Sequence, residues 1–308
     1  MLKKQKTLFI IIVVFGRIGM NRDIRSDGDR YRELLILLNE KIYEYAKKHK
    51  VKIHNERELN KYCRNMRKID LGADVTNALV YGIMHYDVAD QRVLKFIDLE
   101  DVCFDNICVR RVDFTATNAN VDPQTVEGKN IEGANFEGID MSDKCFDGCV
   151  ICHANLGNTY AKFNPQNVYE KDLESTNCEG LDLHDADFTG ASIRGANFKN
   201  AKINLDPQKV FGKSLAGANF ENVDMSGKDF SDCDLSWCNL TNTNAVIELK
   251  SIDPDCIWGC KLTGTTLLVD ENFDREELEK KNVILGTVKF DEYTEIKQKI
   301  KTVFDDLR

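Results

Sequence analysis

Three cysteines, Cys145, Cys149 and Cys152, stand close enough together in the sequence to suggest a metal site. Thiolates bind zinc when all of the ligands converge on one point. The five-residue pattern described below assigns Cys149 to an inward position and the other two cysteines to outward positions. We therefore expect no metal site at this cluster, and no cofactor.

Catalytic chemistry is not indicated elsewhere in the sequence either. The histidines lie far apart, and none of them stands in a nucleophile or metalloprotease motif. No glycine-rich phosphate loop occurs. The glycines recur at the corners of the five-residue pattern, where the permissive backbone of glycine explains them. The sequence predicts a protein that is not an enzyme, with no catalytic residue and no small-molecule substrate. The five histidines are His49, His54, His85, His153 and His184.

Bulky apolar residues recur at every fifth position from Leu99 to Leu267, in blocks separated by short breaks. A small residue stands two positions before most of them. A period of five fits neither an amphipathic helix nor a strand, and it indicates a solenoid whose units bury their apolar side chains against their neighbours. One large and one small inward side chain per unit would fill a narrow interior without overpacking it. In the third block the predicted large inward residues are Leu173, Cys178, Leu183, Phe188, Ile193, Phe198 and Ile203.

The five-residue segments "ADFTG", "ANFKN", "ANFEG", "ANLGN" and "CNLTN" resemble the tandem A(D/N)(L/F)XX units of the pentapeptide-repeat protein family. The resemblance covers roughly residues 97–268. It implies a mainly β fold, a right-handed quadrilateral parallel β-helix with four pentapeptides in each coil. The coils of such a solenoid would stack at the usual strand spacing of about 4.8 Å.

A longer period is carried by the segments "VDPQTVEGKNI", "FNPQNVYEKDL" and "LDPQKVFGKSL", whose prolines are 42 residues apart. Because this interval is two residues longer than eight pentapeptides, the three breaks are predicted to lie on the same face. Proline donates no ladder hydrogen bond, so each break should form a bulged side or a protruding loop. The fourth proline, Pro254, follows Pro207 by 47 residues and is predicted to lie on the adjacent face. The predicted partner-binding loop residues are Asp122, Pro123, Gln124, Asn164, Pro165, Gln166, Asp206, Pro207 and Gln208.

Some lysines fall at the small inward position of the repeat. A buried ammonium group without a partner would be strongly unfavourable. We therefore expect these side chains to turn outward or to bury only their stems, and the coil to be distorted near them. The lysines are Lys129, Lys144, Lys171, Lys213 and Lys228.

The solenoid, assigned to residues 96–268, is flanked by two helical regions. Residues 1–95 predict a small α-helical N-terminal domain, in which "DRYRELLILLNEKIYEYAKK" is a strong amphipathic helix. Residues 269–308 are predicted to form a helical C-terminal cap, because a solenoid must cover its exposed ends. The family resemblance suggests an alternative in which this end is the contact of a homodimer.

The first 19 residues contain the apolar run "LFIIIVVF", from Leu8 to Phe15. Eight residues are too few to span a bilayer as a helix. Arg17 stands where small residues would prepare a cleavage site, so a signal peptide is the less favoured interpretation. Two others stay open, a buried strand or helix of the N-terminal domain and a non-native or targeting extension before Met20.

The number of cysteines indicates the redox state of the cellular compartment in which the protein works. Eleven cysteines cannot all pair within one chain, and a chain of 308 residues has enough core to fold without a disulfide framework. We interpret the cysteines as reduced thiols of a cytoplasmic protein.

Charge is distributed unevenly along the chain. Residues 1–95 carry 20 Lys and Arg against 12 Asp and Glu, whereas residues 96–268 carry 14 against 28. The acidic solenoid favours a non-enzymatic protein that binds a macromolecular partner, although acidity also keeps a solenoid soluble. Several bacterial pentapeptide-repeat proteins mimic duplex DNA, bind DNA gyrase or topoisomerase IV and relieve quinolone poisoning. The resemblance makes mimicry of DNA a hypothesis for this solenoid.

The alternative function is an adaptor, whose basic N-terminal domain binds nucleic acid or a protein while the solenoid serves as a spacer. No motif known to read nucleic acid accompanies the basic residues, so a solvated face of a capping bundle is also open. A mimic should retain its binding without residues 1–95, whereas an adaptor should lose it. The basic residues cluster at Arg57, Lys61, Arg64, Arg67 and Lys68.

Overall fold

The computed structural model describes residues 94–95 and 97–290, apart from the side chain of Phe290. Nearly all of the predicted N-terminal domain, with its apolar run, and the second predicted C-terminal helical segment lie outside these residues. The described residues belong to two compact units, one ending at Asp140 and the other beginning at Met141. Within the described ranges no helix is both long enough and apolar enough to cross a membrane.

The second unit is wound into coils of 20 or 22 residues. Asn177 pairs with Asn155, 22 positions earlier, and Asn197 pairs with Asn177, 20 positions earlier. The bridges and strand pairs among the described residues are parallel. A coil of 20 residues holds four pentapeptides, as the sequence pattern predicts.

Only short stretches of the coils are regular enough to be strands. β1 (Asp182–Leu183) pairs with β2 (Lys202–Ile203). Later in the chain, β3 (Val246–Glu248), β4 (Thr266–Val269) and β5 (Thr287–Phe290) form a three-stranded parallel sheet in that order. The strands are short because the backbone turns at the end of each pentapeptide.

The first unit contains the same kind of coil. Asp113 forms a parallel bridge with Asn135, and the rings of Phe114 and Phe136 stack with their centroids 5.2 Å apart. The buried ammonium of Lys95 lies 2.7 Å from the carboxylate of Asp113. This ion pair compensates for the removal of the lysine charge from water.

The predicted large inward residues form the core of the coils. Ile203 is an exception, because it is only half buried, and the nearby Leu205 is buried instead. The ring of Phe198 stacks on Phe220 with centroids 5.5 Å apart and meets Phe188 edge to face at 5.6 Å. The other residues of the third block are buried as predicted: Leu173, Cys178, Leu183, Phe188, Ile193 and Phe198.

The asparagine or aspartate that follows many of the small inward residues has a structural role. The side-chain oxygen of Asn197 accepts a hydrogen bond from the backbone N–H of Lys199 at 3.1 Å, and Asn219 accepts one from Glu221 at 3.1 Å. These turns satisfy a backbone donor where the chain bends. Asn197 also donates its side-chain amide to Asn177 at 2.9 Å, which links successive coils. The turn therefore explains why the repeat requires a short side chain with an acceptor oxygen.

The proline segments lie in the coils of 22 residues and end in short 3₁₀ turns. Pro165 and Pro207 are buried, so these segments are bulged sides of the coil and not protruding loops. The turns of the three proline segments are Glu127–Lys129, Tyr169–Lys171 and Phe211–Lys213. The later insertion around Pro254 has two turns, Leu249–Ser251 and Pro254–Cys256.

Two of the proline segments share one face of the second unit, as predicted. The chain at Ala191 and Ser192 lies between them. The N–H of Ser192 donates to the carbonyl oxygen of Lys171 at 3.0 Å, and the N–H of Phe211 donates to that of Ala191 at 3.0 Å.

The fourth insertion reaches two faces. The turn at Pro254 lies beside Leu235 and Ser236 of the preceding coil, since the N–H of Leu235 donates to the carbonyl oxygen of Cys256 at 2.7 Å and the hydroxyl of Ser236 donates to that of Asp255 at 3.5 Å. This position is one pentapeptide beyond the face of the earlier proline segments and agrees with the prediction for Pro254. The N–H of Gly190 donates to the carbonyl oxygen of Lys209 at 2.7 Å, and 42 residues later the N–H of Asp232 donates to Ser251 at 2.9 Å. Residues 249–251, which precede Pro254, therefore continue the face of the proline segments at the same interval of 42 residues. Leu249 stands there at the place equivalent to Pro207.

The lysines predicted at inward positions turn outward. The ammonium of Lys129 donates to the side-chain oxygen of Gln124 at 2.6 Å, and that of Lys228 donates to Asn204 at 2.7 Å. Each ammonium is thus bonded to a neutral amide outside the core. Lys129 is exposed, and Lys144, Lys171, Lys213 and Lys228 are half-buried.

Stacking continues beyond residue 268 at the C-terminal end of the second unit. Ile284 forms a bridge with Lys261, and β5 pairs with β4. The first predicted helical segment forms α1 (Arg275–Lys280), which Asp274 caps by accepting a hydrogen bond from the N–H of Glu276 at 2.8 Å.

Replacement of Phe198 tests the packing of the interior. Phe198→Ala is expected to lower the free energy of unfolding by about 3–5 kcal/mol, because it leaves a cavity beside two other rings. Phe198→Leu should cost only about 1 kcal/mol, because Leu240 fills the same interior position in another coil. Urea unfolding of the full chain, followed by circular dichroism, measures both variants. Equal losses would contradict the assigned interior position.

Candidate partner-binding surface

The proline-glutamine pairs predicted as partner contacts are used largely within the fold. The side-chain amide of Gln208 donates to the carbonyl oxygens of Asp229 and Ser231 at 3.2 and 2.8 Å. Gln166 makes the equivalent two hydrogen bonds one insertion earlier. The glutamines therefore tie each insertion to the next coil. Among the predicted residues, Pro123, Pro165 and Pro207 are buried, and Asp122, Gln124, Asn164, Gln166, Asp206 and Gln208 are half-buried.

The same insertions expose two aromatic residues that the sequence analysis did not single out. Tyr169 and Phe211 begin equivalent 3₁₀ turns, and they are 52% and 69% exposed. An aromatic residue at one place in two segments 42 residues apart was a signal that could have identified them.

The carboxylates of the second unit do not form continuous rows. Lys199 lies between Glu179 and Glu221 on successive coils, and its ammonium is 3.0 Å from the carboxylate of Glu221. Lys202 pairs with Asp182 on the preceding coil at 3.4 Å. Each of these two columns thus contains one lysine next to its carboxylates.

Several aspartates of the second unit are stabilised in their ionised form. The carboxylate of Asp224 accepts the backbone N–H of Ser226 at 3.1 Å, and this hydrogen bond lowers its pKa. A hydrogen bond of 2.9 Å from the N–H of Ser231 lowers the pKa of Asp229 in the same way. The pKa values of two further residues, Asp182 and Asp187, are lowered chiefly by side-chain hydrogen bonds with His184 and Thr189.

Both tryptophans of the sequence lie together at one corner of the second unit. The N–H of Trp237 donates to the carbonyl oxygen of Trp258 at 2.5 Å, and the two residues are 65% and 40% exposed. The ammonium of Lys281 lies 6.0 Å from the centroid of the Trp258 ring. Neither tryptophan is part of the core.

Trp237 has a backbone conformation that favours glycine. Its φ is 61°, and the equivalent residues of the preceding and following coils are Gly217 and Gly259, with φ of 70° and 64°. A Cβ atom at Gly259 would overlap the indole ring of Trp237. Glycine in the next coil therefore leaves the space in which this indole lies against the backbone.

The cysteines form no metal site in the part of the chain that the structure describes, where no group of three or more His, Cys, Asp or Glu residues could hold an ion. Cys149 is buried, Cys145 is exposed and Cys152 is half-buried, which agrees with the predicted inward and outward positions. Burial raises the pKa of the Cys178 and Cys260 thiols to about 12, so these thiols stay protonated and unreactive.

The predicted basic cluster of the N-terminal domain lies outside the described residues, and its binding role stays a prediction. The tryptophans, by contrast, could have been identified from sequence. Both fall at outward positions of the five-residue pattern, where a large apolar side chain has no role in the core.

Parallel coils of four pentapeptides with paired large and small inward residues define the second unit as a solenoid of five-residue repeats. The family model of pentapeptide repeats matches residues 172–204 and 214–244, with eight copies in the chain. These residues are pentapeptide repeats, and the resemblance identified from the sequence is confirmed. No curated protein matches the chain.

Solved structures of three pentapeptide-repeat proteins are similar to part of the chain. HetL, which is involved in heterocyst differentiation regulation in the cyanobacterium Nostoc sp. strain PCC 7120, is 22% identical, with a TM-score of 0.16 over 58% of this chain and 60% of HetL. Rfr23 from the cyanobacterium Cyanothece 51142 is 19% identical, with a TM-score of 0.10 over 59% of this chain and 61% of Rfr23.

The third structure is QnrB1, a plasmid-mediated fluoroquinolone resistance protein. It is 14% identical, with a TM-score of 0.13 over 63% of this chain and 84% of QnrB1. The chain spans less than two thirds of the length of HetL and of Rfr23. TM-scores this low establish no common function.

Acidification is expected to destabilise the folded chain below about pH 4. Because the pKa values of Asp224 and Asp229 are lower in the folded chain than in the unfolded chain, the unfolded chain binds more protons in this range. The resulting stabilisation is present above the unfolded pKa of about 3.9 and is lost as the pH falls through the folded values. Melting temperatures measured between pH 7 and pH 2 follow the loss.

The double variant Asp224→Asn and Asp229→Asn is the control for this pH dependence. Asparagine keeps the turn without ionising, as Asn239 does when it accepts the N–H of Thr241 at 3.1 Å. On acidification, the melting temperature of the variant should fall less than that of the original chain. Identical pH profiles would show that these two carboxylates do not contribute.

Replacement of Trp237 tests whether its indole serves stability. Trp237→Gly is expected to change the free energy of unfolding by less than about 1 kcal/mol, because relief of the left-handed backbone offsets the lost contacts. Leu235→Ala, at a buried position of the same pentapeptide, should cost about 2–5 kcal/mol. Urea unfolding measures both variants, and similar losses would mean that the indole belongs to the core.

Proposed function

We propose that this protein is a non-enzymatic, cytoplasmic binding protein whose acidic solenoid contacts a macromolecular partner. In this proposal the coils form a right-handed quadrilateral β-helix, and the partner is a DNA-handling enzyme such as DNA gyrase or topoisomerase IV. The solenoid binds that enzyme as a mimic of duplex DNA. The observation that carries the proposal is the excess of carboxylates, 28 Asp and Glu against 14 Lys and Arg over residues 96–268.

Electrostatics supports binding to a protein surface that accepts DNA. Such surfaces attract duplex DNA through lysine and arginine residues placed for its closely spaced negative charges. Aspartates are ionised at neutral pH, and the lowered pKa values of Asp182, Asp187, Asp224 and Asp229 extend their ionised state to more acidic solution. An acidic surface on a folded scaffold therefore offers the same partner a competing anion.

Two lysines among the carboxylates limit how closely the surface can copy the charge pattern of DNA. Lys199 and Lys202 interrupt the carboxylates along two columns of the second unit, so these columns do not copy a row of phosphates. The attraction must come from the summed field of the surface. A field of this kind is screened over about 10 Å at 0.1 M salt, and binding should be sensitive to salt.

A supercoiling titration of DNA gyrase with the full chain tests the proposed function. We expect inhibition that weakens from low to moderate salt and that excess duplex DNA reverses. Absence of any effect on gyrase, and on topoisomerase IV in a decatenation assay, would overturn the proposal.

Two charge variants make the titration specific. Replacement of Asp182, Asp187, Asp224 and Asp229 by Asn retains side chains that can form the turns and should weaken inhibition. A matched variant with Gln at Lys199, Lys202, Lys209 and Lys250 should inhibit at least as well as the original chain. Equal inhibition by both variants would exclude the acidic surface as the contact.

The adaptor function gives a different outcome in the same assay. A variant with Gln at the five predicted basic residues of the N-terminal domain should inhibit normally if the solenoid is a mimic. Loss of binding in this variant alone would favour the adaptor. The residues replaced are Arg57, Lys61, Arg64, Arg67 and Lys68.

A further inference from the structure

A surface that we call the tryptophan corner consists of Trp237, Trp258 and the neighbouring turn Asp253–Cys256. Trp237 has a bulky side chain on left-handed backbone, although the equivalent residues of the coils on both sides are glycine. Left-handed backbone recurs at other corners of the coils, but at this corner it carries a large apolar side chain that is mostly exposed. The corner is therefore a candidate binding site.

The two indole rings differ in what they can still bind. The ring of Trp237 lies against Gly259 on one side, and most of the residue is open to solvent. Trp258 has the ammonium of Lys281 near its ring. That ammonium also donates to the carbonyl oxygen of Pro254 at 2.8 Å. Trp237 thus provides the accessible aromatic surface.

A turn with two exposed aspartates lies next to Trp237 along the stacked coils. Ser236, which precedes Trp237, donates its hydroxyl to the carbonyl oxygen of Asp255 at 3.5 Å. Burial raises the pKa of the Cys256 thiol, and the charges of Asp234, Asp253 and Asp255 raise it further, which agrees with carboxylates near this turn.

Two of these carboxylates are available to a partner. Asp253 and Asp255 are exposed, and neither forms an ion pair with another residue in the described part of the chain. Asp182 and Glu221, in contrast, pair with lysines of neighbouring coils. Lys281 of the following coil brings one positive charge to the turn, but its ammonium lies 3.3 Å from the carboxylate of Glu277. The charges of Asp253 and Asp255 therefore leave the corner negative.

We propose that the tryptophan corner binds an exposed arginine of the protein partner. A guanidinium group is planar, so it can stack on the indole of Trp237 while it donates hydrogen bonds to the carboxylates beside it. A lysine ammonium has no flat face to stack, and a nucleic acid would be repelled by the aspartates. Tryptophan and arginine are also the side chains that most often dominate protein interfaces. This inference rests on the proposed function, because it names one contact with the same partner.

Peptide binding to the full chain tests the proposed arginine site. The probe is a fluorescein-labelled peptide of alternating glycine and arginine, and the matched probe has lysine in place of arginine. Fluorescence anisotropy at moderate salt should show about tenfold tighter binding of the arginine peptide. Because the chain has only two tryptophans, its intrinsic fluorescence reports directly on contact at the corner.

Variants locate the binding on the corner. Trp237→Gly and Trp258→Ala should each lower the affinity for the arginine peptide several-fold, and Asp255→Asn should lower it about threefold. Phe211→Ala, which removes an exposed aromatic residue elsewhere, should leave the affinity unchanged. Unchanged affinity in Trp237→Gly, or equal affinity for the two peptides, would overturn the inference. So would protection of the tryptophans by duplex DNA or by self-association at high protein concentration.

The titration of gyrase separates this inference from the proposed function. Arginine-specific binding that depends on Trp237, together with no effect on gyrase or topoisomerase IV, would leave the corner established and reject the DNA-handling partner. Inhibition of gyrase that is unchanged in Trp237→Gly, with no difference between the peptides, would retain the proposed function and reject the corner.

Discussion

The coils can stack only if each one presents its backbone donors and acceptors in register with the next. The N–H of Gly195 donates to the carbonyl oxygen of Ala216 at 2.8 Å, and one coil later the N–H of Gly217 donates to that of Ser236 at 2.8 Å. Unpaired buried backbone groups are costly, so the length of a coil cannot vary freely. Any extra residue must be absorbed within one side of the coil, and the rest of the structure follows from this requirement.

The proline insertions accommodate the two extra residues of a 22-residue coil within one side of that coil. Left-handed backbone at Gly212 and Lys213 turns the chain back into register, and the side chain of Gln208 satisfies carbonyl groups of the next coil. Glu170 holds the place of Gly212 in the preceding insertion with a φ of 51°. The two insertions have the same backbone geometry although their side chains differ. The hydrogen-bond register, and not the residue type, therefore determines the shape of the insertion.

The sequence predicts the inward residues, which the hydrogen-bond register of the coils constrains. It does not predict which outward residues carry unusual side chains, because the register does not constrain them. Inward residues such as Phe198 were predicted because only one large side chain per pentapeptide fits the interior. The outward lysines followed from the cost of a buried charge. The position of Pro254 followed from its interval of 47 residues, which is one pentapeptide longer than the interval of 42. The exposed Tyr169 and Trp237 were missed because outward positions are under no packing constraint, and the search for inward residues passed over them.

The freedom of outward positions is also the reason that they can carry function. A large apolar residue on left-handed backbone contributes little to the core, and a glycine such as Gly217 would meet the same backbone requirement without strain. At Trp237 the surrounding coils accommodate the indole, since Gly259 leaves room for it, and the carboxylates of Asp253 and Asp255 face solvent beside it. Stacked coils hold these groups in fixed positions before a partner arrives, so little conformational entropy is lost when it binds. A scaffold that tolerates almost any outward residue can therefore acquire a specific binding site without altering its core.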